Sequence, residues 1–304
     1  MLTKELETVN TPVTASWHDY YLLTKPRVVQ LLVFTAVVGM FLSTPGFVDW
    51  TVLIFASLGI GFSAASGAAV NHILDQRLDA KMLRTRDRPL PQGRITEKDA
   101  LTFALLLGLL GIAILAFLVN FLTAVITFFS LIGYAVIYTV YLKRATPQNI
   151  VIGGAAGASP PVLGWAAVTN EVSGYALLLF LIIFTWTPPH FWALAVARKD
   201  EYEKAGVPML PVTHGPVVTK SFIVYYTILL IIVSLLPYLT GMTGVLYLFG
   251  AALLGMGFLY YAIQLKWGHD EGMAMKTFSY SISYLMALFS FLLADHYIPV
   301  IWPE

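Results

Sequence analysis

Long apolar runs dominate the chain, and short polar segments separate them. Many of the runs reach about 20 residues, the length that an α-helix needs to cross a hydrocarbon core of roughly 30 Å. The runs lie at residues 28–47, 51–70, 100–119, 121–142, 149–168, 174–195, 220–240, 243–265 and 278–298. The pattern therefore predicts an all-α integral membrane protein with nine transmembrane helices.

Composition supports this prediction. Of the 304 residues, 58% are hydrophobic and only 12% are charged, whereas soluble domains are about 25% charged. The absence of cysteine excludes disulfides, thiolate catalysis and cysteine-ligated metals. We expect a tail at residues 1–24 and one membrane domain at residues 25–300.

The charges lie on one side of the predicted bundle. Every lysine and arginine falls in the N-terminal tail or in the loops after the second, fourth, sixth and eighth runs. By the positive-inside rule, the N-terminus is expected in the cytoplasm and the C-terminus outside. We expect a multi-pass cell-membrane protein with a central cavity that opens to cytoplasmic loops, chiefly at residues 71–99 and 198–220.

A stripe of oxygen-bearing side chains begins the first of these two loops. Asn71, Asp75 and Asp79 are spaced by four residues, so on a helix they share one face. Amide and carboxylate oxygens are suitable ligands for Mg²⁺, which commonly bridges protein carboxylates to substrate phosphates. The alternative is a solvated helix end whose acids pair with Arg77 and Lys81.

Basic residues next to this stripe favour a diphosphate substrate, because cations hold phosphate oxygens and stabilise a departing diphosphate. They can also serve membrane topology, contact lipid head groups or act as snorkelling anchors. The candidate diphosphate ligands are Lys81, Arg84, Arg88, Lys143 and Arg144.

A third polar cluster lies in the sixth run. Pro188 and Pro189 should break or kink the helix, and His190 follows them directly. A histidine within a membrane span is costly and indicates a functional site. His190 could be an iron ligand, a propionate partner or a proton-transfer group, or it could be a structural residue bonded to a neighbouring helix.

These residues resemble a known family. The N-x-x-x-D-x-x-x-D segment at 71–79, the Arg84-Thr85 pair and the Arg88-Pro89 pair are similar to the first signature of the UbiA-type intramembrane prenyltransferases. Residues 141–154, Pro160-Pro161, 189–191, 201–202 and 206–212 resemble the haem O synthase branch of that superfamily. The layout covers about residues 20–297.

The resemblance implies a reaction. Members of that branch join the farnesyl group of farnesyl diphosphate to a vinyl group of haem B, with addition of water, and so produce haem O and diphosphate. It implies Mg²⁺ as the cofactor and haem B as a substrate. It also implies contact with membrane lipids and association with haem A synthase or a terminal oxidase; no nucleic-acid partner is expected.

One departure from the superfamily pattern concerns the loop after the sixth helix. Relatives that prenylate phenolic acids carry a second aspartate-rich motif there, whereas the matching positions in this chain hold Arg198, Glu201 and Tyr202. Either one metal ion suffices, or Glu201 contributes to a second metal site, or the loop serves the haem. We expect His190, Arg198 and Tyr202 to bind haem.

Three other functions fit parts of the pattern. A prenyltransferase with a quinone-precursor or chlorin acceptor shares the first motif. A secondary transporter also has helices broken near prolines, but its polar residues lie near mid-membrane. A haem-binding assembly factor without catalysis would leave the aspartate stripe without a role.

Overall fold

The structure is a computed structural model that describes residues 15–301, apart from the side chains of Arg144 and of residues 299–301. Every regular element in this range is helical. In chain order the elements are α1 (Trp17–Leu23), α2 (Pro26–Leu42), α3 (Trp50–Asp79), α4 (Glu97–Leu118), α5 (Phe121–Ile132), a π-helical segment (Gly133–Leu142), α6 (Lys143–Ala145), α7 (Asn149–Ala158), α8 (Pro160–Thr169), α9 (Gly174–Ala197), α10 (Lys199–Lys204), α11 (Leu210–Thr213), α12 (Gly215–Leu239), α13 (Val245–Trp267) and α14 (Met273–Ile301).

Within the described residues, eight segments are long and apolar enough to cross a membrane. Helix α5 with the π-helical segment forms one of them, and α7 with α8 forms another. The α1–α2 pair, which is bent by 53°, gives a ninth if it is counted as one span. The predicted number of nine therefore depends on how this bent pair is counted.

Two predicted interruptions of helices do not occur. Helix α3 continues for 30 residues, so the segment 71–79 forms its last turns rather than a loop. Helix α9 runs unbroken through Pro188 and Pro189. In the turns just before the prolines, the hydroxyls of Thr185 and Thr187 bond to preceding backbone carbonyls, as is common where a membrane helix tolerates proline.

The N-terminal segment is docked on the bundle. Residues 1–14 of the predicted tail lie outside the described residues, but α1 begins with a capping box in which Ser16 and Asp19 bond reciprocally. Asp19 also accepts a 2.9 Å hydrogen bond from Arg94, in the segment between α3 and α4. This contact fixes the start of α1 to the segment that leads into α4.

Small residues bring α2 and α8 close together. A Cβ atom added at Gly39 would overlap the backbone of Pro161, and one at Gly164 would overlap the backbone of Ala36. Close helix approach through small residues is a general feature of membrane bundles. The largest apolar cluster lies between α2, α7, α8, α9, α12, α13 and α14, so α9 is held in a packed framework.

Candidate active site

The predicted oxygen stripe lies on one face of the last three turns of α3. Asn71 and Asp75 are each 4% exposed and Asp79 is 3% exposed, yet all three line a polar cavity. Burial of carboxylates is costly unless they are paired or hydrogen-bonded. The hydrogen-bond and ion-pair partners of these three side chains therefore indicate which kind of ligand the cavity can bind.

Each member of the stripe contacts one cation, and each cation comes from a different segment. Lys25, at the α1–α2 break, donates to Oδ1 of Asn71. Lys143, after the π-helical segment, lies 2.5 Å from Oδ2 of Asp75. Arg88, between α3 and α4, lies 2.6 Å from Oδ2 of Asp79.

The polar cavity has an empty volume of about 530 Å³, its opening to solvent included. Acidic, basic and aromatic side chains surround it. Its lining residues are Lys25, Asn71, Asp75, Leu78, Asp79, Met82, Arg84, Arg88, Tyr134, Tyr138, Lys143, Phe191, Tyr202 and Met209. Four of these are cations, so the cavity suits a compact polyanion better than a neutral ligand.

An apolar cavity lies beside the polar one, between α2, α3, α5, α7 and α8. It has an empty volume of about 750 Å³, its mouth included, and its walls are mainly aliphatic or small, as at Leu32, Ala64 and Gly157. Lys25 and Tyr134 line both cavities. A ligand with a charged head and a long apolar tail would fit this pair of cavities.

The π-helical segment supplies part of the wall of both cavities. The rings of Tyr134 and Tyr138 stack with their centroids 5.7 Å apart. Thr139 accepts a 3.3 Å hydrogen bond from Nδ2 of Asn71, which orients Oδ1 of that amide toward Lys25. π-Helical turns often occur at functional sites, and this one places Thr139 against Asn71 and two tyrosines in the cavity wall.

The stripe has the donor chemistry for Mg²⁺, since its three side chains present only carboxylate and amide oxygens to the cavity. Within residues 15–301, no group of three or more His, Cys, Asp or Glu side chains is arranged to hold a metal. The carboxylates of Asp75 and Asp79 would therefore need the Asn71 amide, water and substrate oxygens to complete a coordination shell. That requirement agrees with the preference of Mg²⁺ for substrate phosphates.

The segment after α9 contributes Tyr202 and Met209 to the cavity. Tyr202 is 4% exposed and lines the wall with Arg84. Burial raises the pKa of its phenol, and the neighbouring Arg84 acts in the opposite direction. The phenol therefore stays protonated near neutral pH and can donate a hydrogen bond.

Other predicted site residues lie away from the polar cavity. Lys81 is exposed and does not line it, and the side chain of Arg144 lies outside the described residues. Arg198 and Glu201 pair with each other at 2.8 Å. Oε2 of Glu201 is buried and has no hydrogen-bond partner among the described residues.

His190 lies in an aromatic stack between α9 and α14. Its ring centroid is 4.1 Å from that of Trp186 and 4.7 Å from that of Phe278. Nδ1 lies 2.6 Å from Oγ of Ser281, which also lies 2.6 Å from the carbonyl oxygen of Phe278. A carbonyl can only accept, so the Ser281 hydroxyl donates to it and accepts from Nδ1–H. This arrangement leaves the lone pair of Nε2 free.

Sequence reasoning missed Lys25, Tyr134, Tyr138 and Thr139. Lys25 lies at the predicted boundary between the tail and the membrane domain, and the other three lie within the predicted span at residues 121–142. The signal for Lys25 was a cation directly before the proline that begins a span. The two tyrosines are four residues apart, which is a weak signal because aromatic pairs are common in membrane helices.

Comparison with known proteins identifies related chains. The model of the UbiA prenyltransferase family matches residues 32–291. The chain is 59% identical over 285 residues to a protein of Marinobacter nauticus named protoheme IX farnesyltransferase, covering 94% of each chain. It is 60% identical over 283 residues to a protein of the same name from Methylococcus capsulatus, covering 93% of this chain and 95% of the relative.

Solved structures share the fold at lower identity. A structure described as digeranylgeranylglyceryl phosphate synthase superposes with a TM-score of 0.76 at 21% identity, covering 92% of this chain and 98% of the other. A UbiA homologue from Archaeoglobus fulgidus bound to DMAPP and Mg²⁺ gives a TM-score of 0.61 at 16% identity, covering 90% and 99%. These likenesses establish a common helical architecture.

Proposed function

The chain belongs to the UbiA prenyltransferase family, and we propose that it transfers the farnesyl group of farnesyl diphosphate to a vinyl group of haem B, with addition of water, to give haem O and diphosphate. Relatives about 60% identical over nearly the whole chain carry the name protoheme IX farnesyltransferase. The structural observation that carries the proposal is the oxygen stripe in a cation-lined cavity that adjoins an apolar one.

The diphosphate binds in the polar cavity in this proposal. Arg84, Arg88 and Lys143 contact its oxygens, and Tyr202 donates a hydrogen bond at the rim. Asn71, Asp75 and Asp79 would hold Mg²⁺, and the related structure with DMAPP and Mg²⁺ supports a metal-dependent family. When bound, the ion neutralises diphosphate charge and makes the group easier to expel.

The farnesyl tail occupies the apolar cavity. Burial of aliphatic surface favours this placement by about 25 cal/mol per Å². Because Lys25 and Tyr134 line both cavities, the bond between the tail and the diphosphate would lie next to them. The ring of Tyr134 is then the aromatic face closest to a developing allylic cation, which such a face stabilises.

The acceptor binds on the α9 side. His190 presents a free Nε2, the nitrogen with which neutral imidazole binds metals, and its neighbour Phe191 lines the polar cavity. We assign Nε2 of His190 to the haem iron and Arg198, at the end of α9, to a haem propionate. Tyr202 would contact both substrates. Glu201 pairs with Arg198, so we assign it to the structure of this loop and not to a metal site.

The reaction has three balanced steps. The bond between C1 and the diphosphate oxygen breaks, and its electron pair stays on the diphosphate. The π electrons of a haem vinyl group form the new carbon–carbon bond to C1, which leaves a cation on the vinyl carbon next to the porphyrin. Water adds to that carbon and loses a proton to solvent, which completes the hydroxyethylfarnesyl side chain.

The basic loops define the cytoplasmic side in this proposal, in accordance with the positive-inside rule. The polar cavity lies at the end of α3 that leads into the basic segment 80–96, so diphosphate enters and leaves from the cytoplasm. The protein is then a multi-pass cell-membrane enzyme whose product is passed to haem A synthase or to a terminal oxidase.

Product analysis with two acceptors tests the proposal. Purified protein in detergent is given farnesyl diphosphate and Mg²⁺ with either haem B or 4-hydroxybenzoate, and the products are identified by mass spectrometry. We expect haem O from the first mixture only, with the hydroxyl oxygen derived from isotopically labelled water. Prenylated 4-hydroxybenzoate without haem O would instead support a quinone-precursor acceptor.

A further inference from the structure

Lys25 has an unusual backbone conformation for its residue type. It lies at the break between α1 and α2 with φ 49° and ψ 59°, in the left-handed region. Lys25 and Asn170 are the two described residues other than glycine with positive φ. Asparagine adopts this conformation several times more readily than most residues, whereas a lysine there must be held by its surroundings.

The bend directs Lys25 to the junction of the two cavities. Pro26 begins α2 directly after it, and its ammonium donates to Oδ1 of Asn71. The next basic residue, Arg27, is exposed. Two neighbouring cations therefore differ: one faces the surface, and the other reaches the substrate cavities.

The three cations paired with the stripe are ordered along α3. Successive members of the stripe are four residues apart, or about 6 Å along the helix axis. Arg88 contacts the member at the helix end, Lys143 contacts the middle one, and Lys25 contacts the innermost. Lys25 is the member of this set that also lines the apolar cavity.

We propose that Lys25 is a catalytic residue, whose ammonium moves from Asn71 to the diphosphate oxygen bonded to C1 and stabilises the negative charge that develops on that oxygen as the bond breaks. This inference rests on the proposed function. The electron pair of the C1–O bond stays on the oxygen, and Lys25 keeps its proton and acts as a hydrogen-bond donor. A group that stabilises charge present only in the transition state raises kcat and has a smaller effect on substrate binding.

Kinetics of purified full-length variants with farnesyl diphosphate, Mg²⁺ and saturating haem B test this role. In Lys25→Met, we expect kcat to fall at least about 100-fold while KM for farnesyl diphosphate changes less than about 5-fold. Lys25→Arg should retain at least about a tenth of kcat. Arg27→Met is the control and should behave as wild type.

Lys25→Asn separates the charge from the backbone, because asparagine accepts left-handed φ but has no cation. We expect it to be as inactive as Lys25→Met, and it replaces that variant if Lys25→Met fails to fold. Recovery of kcat in Lys25→Asn, or a loss confined to KM in either variant, would overturn the catalytic role.

Diphosphate release distinguishes this inference from the proposed function. If wild-type protein releases diphosphate but forms no haem O, the acceptor is wrong, and a 100-fold slower release in Lys25→Met still supports the role of Lys25. If wild type releases none, both proposals are overturned.

Discussion

The ammonium of Lys143 lies 2.5 Å from Oδ2 of Asp75, although the two residues are 68 positions apart. The side chains are 13% and 5% exposed, so neither charge is well solvated without the other. The pair could be a structural ion pair, or it could be a substrate site in which the two charges contact each other until diphosphate arrives.

Reversal of this pair separates the two roles. Lys143→Asp alone should lower the free energy of unfolding by about 3–5 kcal/mol, because it leaves like charges buried together. Adding Asp75→Lys should recover most of that stability but should leave kcat/KM at least about 100-fold below wild type. Thermal unfolding and haem O formation measure the two quantities. Full activity in the reversed pair would assign both residues to structure alone.

Metal removal should abolish turnover. We expect a chelator to stop haem O formation and added Mg²⁺ to restore it, because the stripe presents only oxygen ligands. Asp79→Asn should weaken the Mg²⁺-dependent binding of a non-reacting farnesyl diphosphate analogue by about 10–100-fold.

Asp87→Asn is the matched control for that variant. Asp87 lies in the segment that directly follows α3, and its side chain is 79% exposed, so removal of its charge should leave the Mg²⁺ dependence unchanged. Equal losses of Mg²⁺-dependent binding in the two variants would show that binding depends on the total charge of this region rather than on the stripe.

The stripe was predictable because it is local: the four-residue spacing alone places Asn71, Asp75 and Asp79 on one face. The length of α3, the helix that carries the stripe, was not predictable from this spacing. The charge density after residue 70 indicated a loop, but Asn71 and the two aspartates find buried partners and can stay helical. Helix α9 continues through Pro188 and Pro189, where the hydroxyls of Thr185 and Thr187 bond to preceding backbone carbonyls.

Contacts across distant segments could not be derived from periodicity. The partner of Asn71 lies 46 positions away and that of Ser281 lies 91 positions away, and apolar spans give no register between helices. Tertiary packing also decides which cations reach the cavity, since Arg84 and Arg88 line it and Lys81 does not.

Gly157 allows a direct test of the apolar cavity. It lines that cavity, and a Cβ added there meets no atom within 4 Å. Gly157→Leu should therefore fold and fill part of the space. We expect kcat/KM to fall about 10–100-fold for farnesyl diphosphate and less than about 3-fold for geranyl diphosphate.

Gly174→Leu is the control, because Gly174 also has open space around it and lies outside this cavity. It should not change the ratio between the two substrates. An unchanged ratio in Gly157→Leu would place the prenyl tail elsewhere.

Ser281 should tune haem binding through His190. Its hydroxyl accepts a hydrogen bond from Nδ1–H and thereby keeps the lone pair on Nε2, the nitrogen that would bind iron. Without that partner the other tautomer becomes accessible and the ring is less firmly oriented. We expect Ser281→Ala to weaken haem B binding by about 10–100-fold and to shift the Soret band, while KM for farnesyl diphosphate stays near the wild-type value.

Ser290→Ala is the matched control, because Ser290 lies on the same helix and bonds only to the preceding carbonyl of Met286, at an exposed position. A loss of haem affinity in both variants would indicate an effect on α14 itself. His190→Ala should abolish the spectral response. In the double variant, Ser281→Ala should cause no further loss of haem binding, because the serine acts only through the imidazole. A haem spectrum that is unchanged in His190→Ala would remove the iron-ligand role and the tautomer argument with it.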